Sequence, residues 1–231
     1  MIGTACVNSI ERDPRSWADV AKLEIETQKN EPRNLWVRCG YVSRALCKDW
    51  EVHPRGRLRW WESKVAIPGT ADIGGYLVTF RTVGPKKFKR NKTISLHRIS
   101  LETFFPKPHR TLECDHRDEN RENFDIRNLR WVSHSLNVAF QKHRGLGRMW
   151  VKKEQRWKYR ARFRDHSYPY RDTKEQARRE YLYIRAVWIR EERERIIQMV
   201  MSHNGVDRLE AIRMLNWDKR DDVFFLVELN E

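Results

Sequence analysis

Between Leu112 and Phe140, apolar and polar blocks alternate in a way that leaves few folds open. Leu112-Glu113-Cys114 is a short β-type run that leads into Asp115-His116. From Arg117 to Arg127 only Phe124 and Ile126 are apolar, which predicts a loop. Leu129-Arg130-Trp131-Val132 resumes the β pattern. Ser133 is a suitable N-cap and predicts a helix to about His143, with Leu136 and Phe140 four apart on its inner face. Strand, loop, strand and helix at this spacing predict a small unit in which Asp115, His116 and Asn137 converge. Asn128 stands beside them before the second strand.

An adjacent Asp and His offer an oxygen ligand for a hard metal ion and an imidazole able to act as a base near neutral pH. The two amides, Asn128 and Asn137, add a group that can orient the imidazole and a neutral metal ligand. An Asp-His pair alone is a weak signal, because most such pairs are ordinary surface residues. The polar loop, the second strand and the second Asn carry the weight. In a chain of net charge +15 the combination points to cleavage of a phosphodiester.

The charge is uneven. Residues 1–40 hold six Lys/Arg and six Asp/Glu, whereas residues 142–195 hold 18 against eight, a surplus of ten. A polyanion partner is therefore expected from the middle of the chain onward. Ten Trp and nine Phe argue against wholesale disorder. No apolar run is long enough to span a bilayer, and the start lacks the basic and apolar regions of a signal peptide. Cys6, Cys39, Cys47 and Cys114 form no Cys-x-x-Cys, which disfavours structural zinc and a disulfide framework. An intracellular, cytoplasmic protein with free thiols is expected.

Asp13-Pro14 predicts a helix start, with the helix running to about Thr27. From Trp50 to His97, short β-like runs are broken by Gly56, Gly74-Gly75 and Gly84-Pro85. The strand candidates are Trp50-Val52, Arg57-Trp60, Tyr76-Phe80 and Thr93-Leu96. A short helix from about Arg98 to Phe104 ends before Pro106. Beyond Gly145 and Gly147 the run Trp157 to Arg164 alternates, with Trp157, Tyr159, Ala161 and Phe163 on one face and Lys158, Arg160, Arg162 and Arg164 on the other. Tyr168-Pro169-Tyr170 is a candidate third strand. Thr173 with Gln176 forms a capping box for a long helix, with Ala177, Tyr181, Ile184 and Trp188 on one stripe and Asn204-Gly205 as its stop. Asp207 caps a last short helix to Leu215.

Taken together, His97-Arg98, Phe104-Phe105-Pro106, Asp115-His116, Asn120 with Asn123, Asn128-Leu129-Arg130-Trp131-Val132 and Asn137 form a specific pattern. The stretch resembles the HNH (His-Me finger, ββα-metal) nucleases, in particular the phage and intron homing-endonuclease branch. The resemblance implies a role for each matched residue. His116 would be the general base toward water, and Asn128 would accept a hydrogen bond from the far ring nitrogen of His116 through its carbonyl. Asp115 and Asn137 would hold one Mg2+ or Mn2+ per active site. Cleavage of this type leaves 5′-phosphate and 3′-hydroxyl ends. Two positions depart from the pattern: Glu119 stands where Gly is common, and His134 where Pro is frequent. His97 is expected to pack or cap at its helix start.

The cationic row of the alternating run exceeds what a solvated sheet face requires, because like charges repel unless an anion offsets them. Gly145 to Trp188 is similar to the APETALA2-type DNA-binding domain, a three-stranded sheet with a helix. The likeness lies in Trp150 with Lys152-Lys153, in Trp157 to Arg164, and in Asp172-Thr173-x-Glu175-x-Ala177. The usual Gly-aromatic pair before the helix is Tyr170-Arg171 here. The resemblance implies DNA contacts from Trp150, Lys152, Lys153, Lys158, Arg160, Arg162 and Arg164. Trp50 to Phe80 resembles the small β module that precedes many phage homing nucleases, though a plain scaffold fits those residues equally. Lys86 to Arg90 reads as a solvated hairpin tip.

The expected fold is α+β and modular. A helical segment occupies residues 1–45, a β-rich module 46–96 and a ββα-metal (HNH) core 97–144. A sheet-plus-helix DNA-binding module spans 145–195, followed by a helical tail over 196–231. The implied function is metal-dependent cleavage of double-stranded DNA by a phage-encoded protein in a bacterial host, with no membrane involved and the oligomeric state open. The competing classes are a non-enzymatic DNA-binding regulator that retains a degenerate nuclease shell, and an RNA-binding protein. A basic surface alone does not separate the two nucleic acids.

Overall fold

The structure is a computed structural model that describes residues 35–39, 47–83, 89–140, 145–218 and 221. The expected helix at Asp13–Thr27, most of the Lys86–Arg90 tip and the far end of the helix toward His143 lie outside these residues. Everything described from Trp36 onward belongs to one compact unit, Trp36–Glu231. Its architecture is mixed α/β, with four small sheets and four helices among the described residues. No described helix is long and apolar enough to cross a membrane.

Strands β1 (Val37–Arg38), β2 (Trp50–His53) and β3 (Arg57–Trp60) form the first antiparallel sheet. The β2–β3 turn holds Gly56 at φ +67°, where a Cβ would come within 2.8 Å of the Asp125 backbone nitrogen. The Ile126 amide donates to the Pro54 carbonyl at 2.9 Å, so this turn braces the polar loop of the next unit. Strands β4 (Thr70–Ala71), β5 (Leu77–Val83) and β6 (Arg90–Ser95) make a second antiparallel sheet. Helix α1 (Leu96–Phe104) follows directly and starts before the expected Arg98, which brings His97 inside the helix.

Strands β7 (Leu112–His116) and β8 (Leu129–Ser133) pair antiparallel, with Asp115 opposite Arg130 and His116 opposite Leu129. Helix α2 (His134–Phe140) begins at once, and the Ser133 hydroxyl accepts the Leu136 amide at 3.1 Å, as an N-cap should. Leu112, Leu129, Trp131, Val132 and Leu136 are buried, so the apolar residues of this ribbon and helix form one core. Apolar burial of this kind contributes about 1.5–3 kcal/mol per large side chain, which holds the polar residues at the strand ends in place.

Strands β9 (Leu146–Val151), β10 (Arg156–Phe163) and β11 (His166–Ser167) form an antiparallel sheet in the order β11-β10-β9. The third strand falls at His166–Ser167 rather than at Tyr168–Tyr170, because the chain turns tightly at Arg164, φ +54°, and pairs at once. Ala161 and Phe163 pack with Ala177 and Tyr181 of helix α3 (Lys174–Asn204) in a small core. Both halves of the Thr173–Gln176 capping box are made, and Gly205 ends the helix at φ +66°. Asp207 caps helix α4 (Arg208–Met214) by accepting the Glu210 amide at 2.8 Å.

The tail then returns to the first strand pair. The Trp131 amide donates to the Leu215 carbonyl at 3.0 Å, and the Trp217 indole donates to the Trp131 carbonyl at 2.9 Å. Asn216 donates to the carbonyls of Ile126 and Leu129 at 2.8 and 2.7 Å. The open edge of β8 is thereby covered, which removes unpaired backbone groups from the surface.

Candidate active site and nucleic-acid interface

Asp115 and His116 lie at the end of β7, and successive strand residues point to opposite faces. Their surroundings differ accordingly. His116 is buried, with its ring centroid 5.0 Å from that of His97 and 5.8 Å from that of Tyr76. The His97 and Tyr76 rings are themselves 5.0 Å apart, and the Arg121 guanidinium lies 4.9 Å from the Tyr76 ring centre. The Nε2 of His116 is buried with no hydrogen-bond partner. Burial, helped by the Arg121 charge and opposed by Asp118, pushes the His116 pKa down to about 4. The imidazole is therefore neutral near pH 7 and has an uncommitted nitrogen. Burial and the neighbouring His116 likewise take His97 down to about 3.

Asn128 does not hold the His116 ring in this arrangement. Its carbonyl accepts the Arg117 amide at 2.8 Å, its side-chain oxygen accepts the Asp118 amide at 3.1 Å, and its Nδ2 donates to Asp118 Oδ1 at 2.8 Å and to the Asn123 carbonyl at 2.9 Å. Asn128 thus closes the polar loop. Asp118 is the acceptor at the loop's centre and also takes the Asn120 amide and the Asn123 amide group, at 2.8 and 2.7 Å. Partial burial raises the Asp118 pKa, but these hydrogen bonds outweigh it and hold the group low. Glu119 follows at φ +61°, a left-handed conformation, which gives the physical reason why glycine suits this place.

On the other side of the ribbon, Asp115 Oδ2 accepts from Arg130 at 2.8 Å. Arg130 also reaches Asp221 at 2.6 Å, and Arg117 contacts Asp221 at 3.0 and 3.2 Å. Burial raises the Asp115 pKa, against the pull of Arg130. Asn137 on α2 donates its Nδ2 to Glu113 Oε2 at 3.3 Å, and Glu113 lies two residues before Asp115 on the same face of β7. The amide oxygen of Asn137 is the end left for another partner. A carboxylate out of water and an amide oxygen are hard donors that suit Mg2+ or Mn2+, so the residues present fit such an ion. Among the described residues no group of three or more His, Cys, Asp or Glu is arranged around a metal. An ion here would take its remaining ligands from water and phosphate.

The cationic module departs from its expected pattern in three places, the third being Arg160, whose guanidinium lies 4.9 Å from the Tyr170 ring centre with its Nε buried. Arg164 leaves the outward row, because β10 ends at Phe163 and the left-handed turn swings the guanidinium to 4.7 Å from the Trp188 ring centre on α3. Lys158 is committed to Glu154 and Asp172, at 2.9 and 3.9 Å. Arg160 and Arg162 flank Gly147, where a Cβ would lie 3.1 Å from Arg162 Cδ and 3.4 Å from Arg160 Nε. Neither forms an ion pair among the described residues, nor do Lys152 and Lys153 in the β9–β10 turn. Trp150 and Trp157 are directly opposite across the strands, with ring centroids 5.4 Å apart, and both are about two-fifths exposed, at 43% and 41%. Trp157 thus extends beyond the small core that Ala161 and Phe163 form with α3.

The structure therefore gathers His97 and Tyr76 around the base candidate His116, and Arg130, with Asp221 and Arg117 behind it, at the ligand candidate Asp115. Sequence reasoning missed Tyr76 and Asp221 as partners of the site. Glu113 was legible in principle, since it shares a strand face with Asp115.

Comparison with known proteins came to the same stretch. Residues 95–139 match a family model described as HNH endonuclease, so the chain carries an HNH endonuclease domain there. Comparison with curated proteins returned no significant match. Among solved structures the chain is similar to the HNH homing endonuclease I-HmuI, described for its DNA binding and cleavage, at 23% identity and a TM-score of 0.37. That alignment covers 46% of this chain and spans about half, 56%, of the other. The family match ends before β9, so the likeness of the sheet-plus-helix module to APETALA2-type domains stands on its residues alone.

Proposed function

We propose that this protein is a divalent-metal-dependent DNA endonuclease of the HNH homing type. The observation that carries the reading is His116: inside a segment matching the HNH family it is a neutral imidazole with an unbonded buried nitrogen, at a strand end beside Asp115. Such a group can accept a proton from an attacking water. The water oxygen then bonds to phosphorus, the bond from phosphorus to the 3′ oxygen breaks, and the proton passes to the imidazole. The leaving 3′ oxygen takes a proton from solvent, so the products are a 5′-phosphate and a 3′-hydroxyl. Asp115 and Asn137 would hold Mg2+ or Mn2+, which polarises the phosphate and stabilises the leaving oxygen. Asn128 acts by shaping the loop between the two strands rather than by touching the base.

DNA would be engaged by the β9–β10 sheet through Arg160, Arg162, Lys152 and Lys153, with smaller contributions from Lys158 and Arg164. Trp150, expected among these contacts, is paired with Trp157 on the opposite, helix-facing side of the sheet. Arginine on an exposed sheet can reach phosphates and base edges. One observation favours a second reading, a DNA-binding regulator with a silent core: the Asp115 carboxylate is already paired with Arg130. Supercoiled plasmid incubated with magnesium, with and without chelator, separates the two. Chelator-sensitive nicked circles support the nuclease, linear product adds paired sites, and unchanged plasmid supports the regulator.

A further inference from the structure

Two guanidiniums, Arg117 and Arg130, lie within the ribbon that carries the candidate metal ligand. Each is about one-tenth exposed, with side-chain values of 10% and 8%. Arg130 is shared between two carboxylates, with Asp115 at 2.8 Å and Asp221 at 2.6 Å. Arg117 takes the second oxygen of Asp221 at 3.0 Å and bonds the carbonyls of Arg127, Leu129 and Asn216. Asp221 is itself buried, and its backbone carbonyl accepts from Arg193 on α3 at 2.8 Å. It comes from the tail, 106 residues beyond Asp115 in the numbering, and is carried there by the Leu215–Trp217 contacts to β8.

This wiring has an electrostatic consequence. A buried guanidinium with one carboxylate partner binds it strongly, because the unpaired alternative is costly. Without Asp221, Arg130 would have Asp115 as its only described carboxylate, and a divalent ion would have to displace it. With Asp221 present the charge of Arg130 is divided between two carboxylates, while Arg117, which shares Asp221, also draws on Asp218 at 3.9 Å, and Asp115 keeps an oxygen to offer. We infer that Asp221 is a positioning residue of the nuclease site, which takes up part of the charge of Arg130 so that Asp115 remains available to the metal ion. The inference rests on the proposed nuclease reading and makes the C-terminal tail part of the active site.

The test is Mn2+ binding by the full chain without DNA, read from Mn2+-induced broadening of the Asp115 and Asn137 amide resonances. Asp221→Asn should raise the Mn2+ concentration needed by about 10-fold or more, the size expected for a residue supporting a metal ligand. Arg130→Gln alone should bind at least as well as the parent, and Asp221→Asn combined with Arg130→Gln should return toward the parent value. A purely structural role for Asp221 would not be rescued by removing Arg130. Parent-like binding by Asp221→Asn, no rescue in the double variant, or a 10-fold loss in Arg130→Gln would each overturn the role. If Asp221→Asn fails to fold, the Arg130→Gln arm decides. A parent that neither binds Mn2+ nor nicks plasmid overturns the nuclease reading itself, whereas a parent that nicks while Asp221→Asn binds Mn2+ normally overturns only Asp221.

Discussion

The HNH segment and the sheet-plus-helix module are both rich in arginine, yet they use it in opposite ways. In the first, the buried Arg130 and the largely covered Arg117 share Asp221, with Asp115 as a second partner of Arg130. In the second, Arg160 and Arg162 stand beside Gly147 with no ion pair among the described residues. Buried pairing secures a geometry at the cost of desolvation. Unpaired surface cations leave a field for a polyanion to satisfy. On the proposed reading, the difference teaches that cutting and holding would be built separately, so each should fail alone.

The strongest way to break this division is at the base. His116→Ala should lower plasmid nicking by about 10²–10⁴-fold while DNA affinity in a binding titration stays at the parent value. Equal loss of both, or of neither, would end the comparison. The converse change is Arg160→Ala with Arg162→Ala. It should weaken DNA binding and flatten the slope of log affinity against log salt by about 1.8, the value for two lost phosphate contacts. Single-turnover cleavage at saturating protein should stay near the parent rate.

A third measurement sharpens the description of the core. Desolvation pushes His97 and the buried His116 down to about 3 and about 4, below the ordinary 6.5. Between those values and 6.5 the unfolded chain binds more protons than the folded one. Stability from these residues is therefore full above pH 6.5 and falls as the pH drops toward 4. Each imidazole should contribute a slope of about 1.4 kcal/mol per pH unit in that window. Denaturant unfolding at pH 7 and pH 5 checks this, and His97→Phe, which keeps a ring but no titrating group, should lose its share. An unchanged pH dependence in that variant would mean His97 is not held neutral by the fold. The smallest effect belongs to the loop. Glu119→Gly relieves a left-handed conformation and should stabilise the protein by about 1 kcal/mol, seen as a higher Tm.

Much of the local structure was legible. The capping box at Thr173, the stop at Gly205, the cap at Asp207 and the strand Leu129–Ser133 follow from contacts within a few residues. Where the expectation missed, longer range decided. Alternation put Arg164 with Arg160 and Arg162, but Trp188 on a distant helix captured it. Asn128, expected at the imidazole, is a local case: it bonds Asp118 and Asn123, both nearer to it in the chain than His116.

By itself, the sequence determined which residues stand at the strand ends and where the positive charge accumulates. Both are read from spacing and composition, and both survive any arrangement of the rest. Only the tertiary structure decided who surrounds them: Tyr76 and His97 against the imidazole, Asp221 against Arg130. Those partners lie from about 20 to over 90 positions away in the numbering. Burial lowers the local dielectric, so the nearest charge or ring sets a group's protonation and availability, and nearness is a property of the fold.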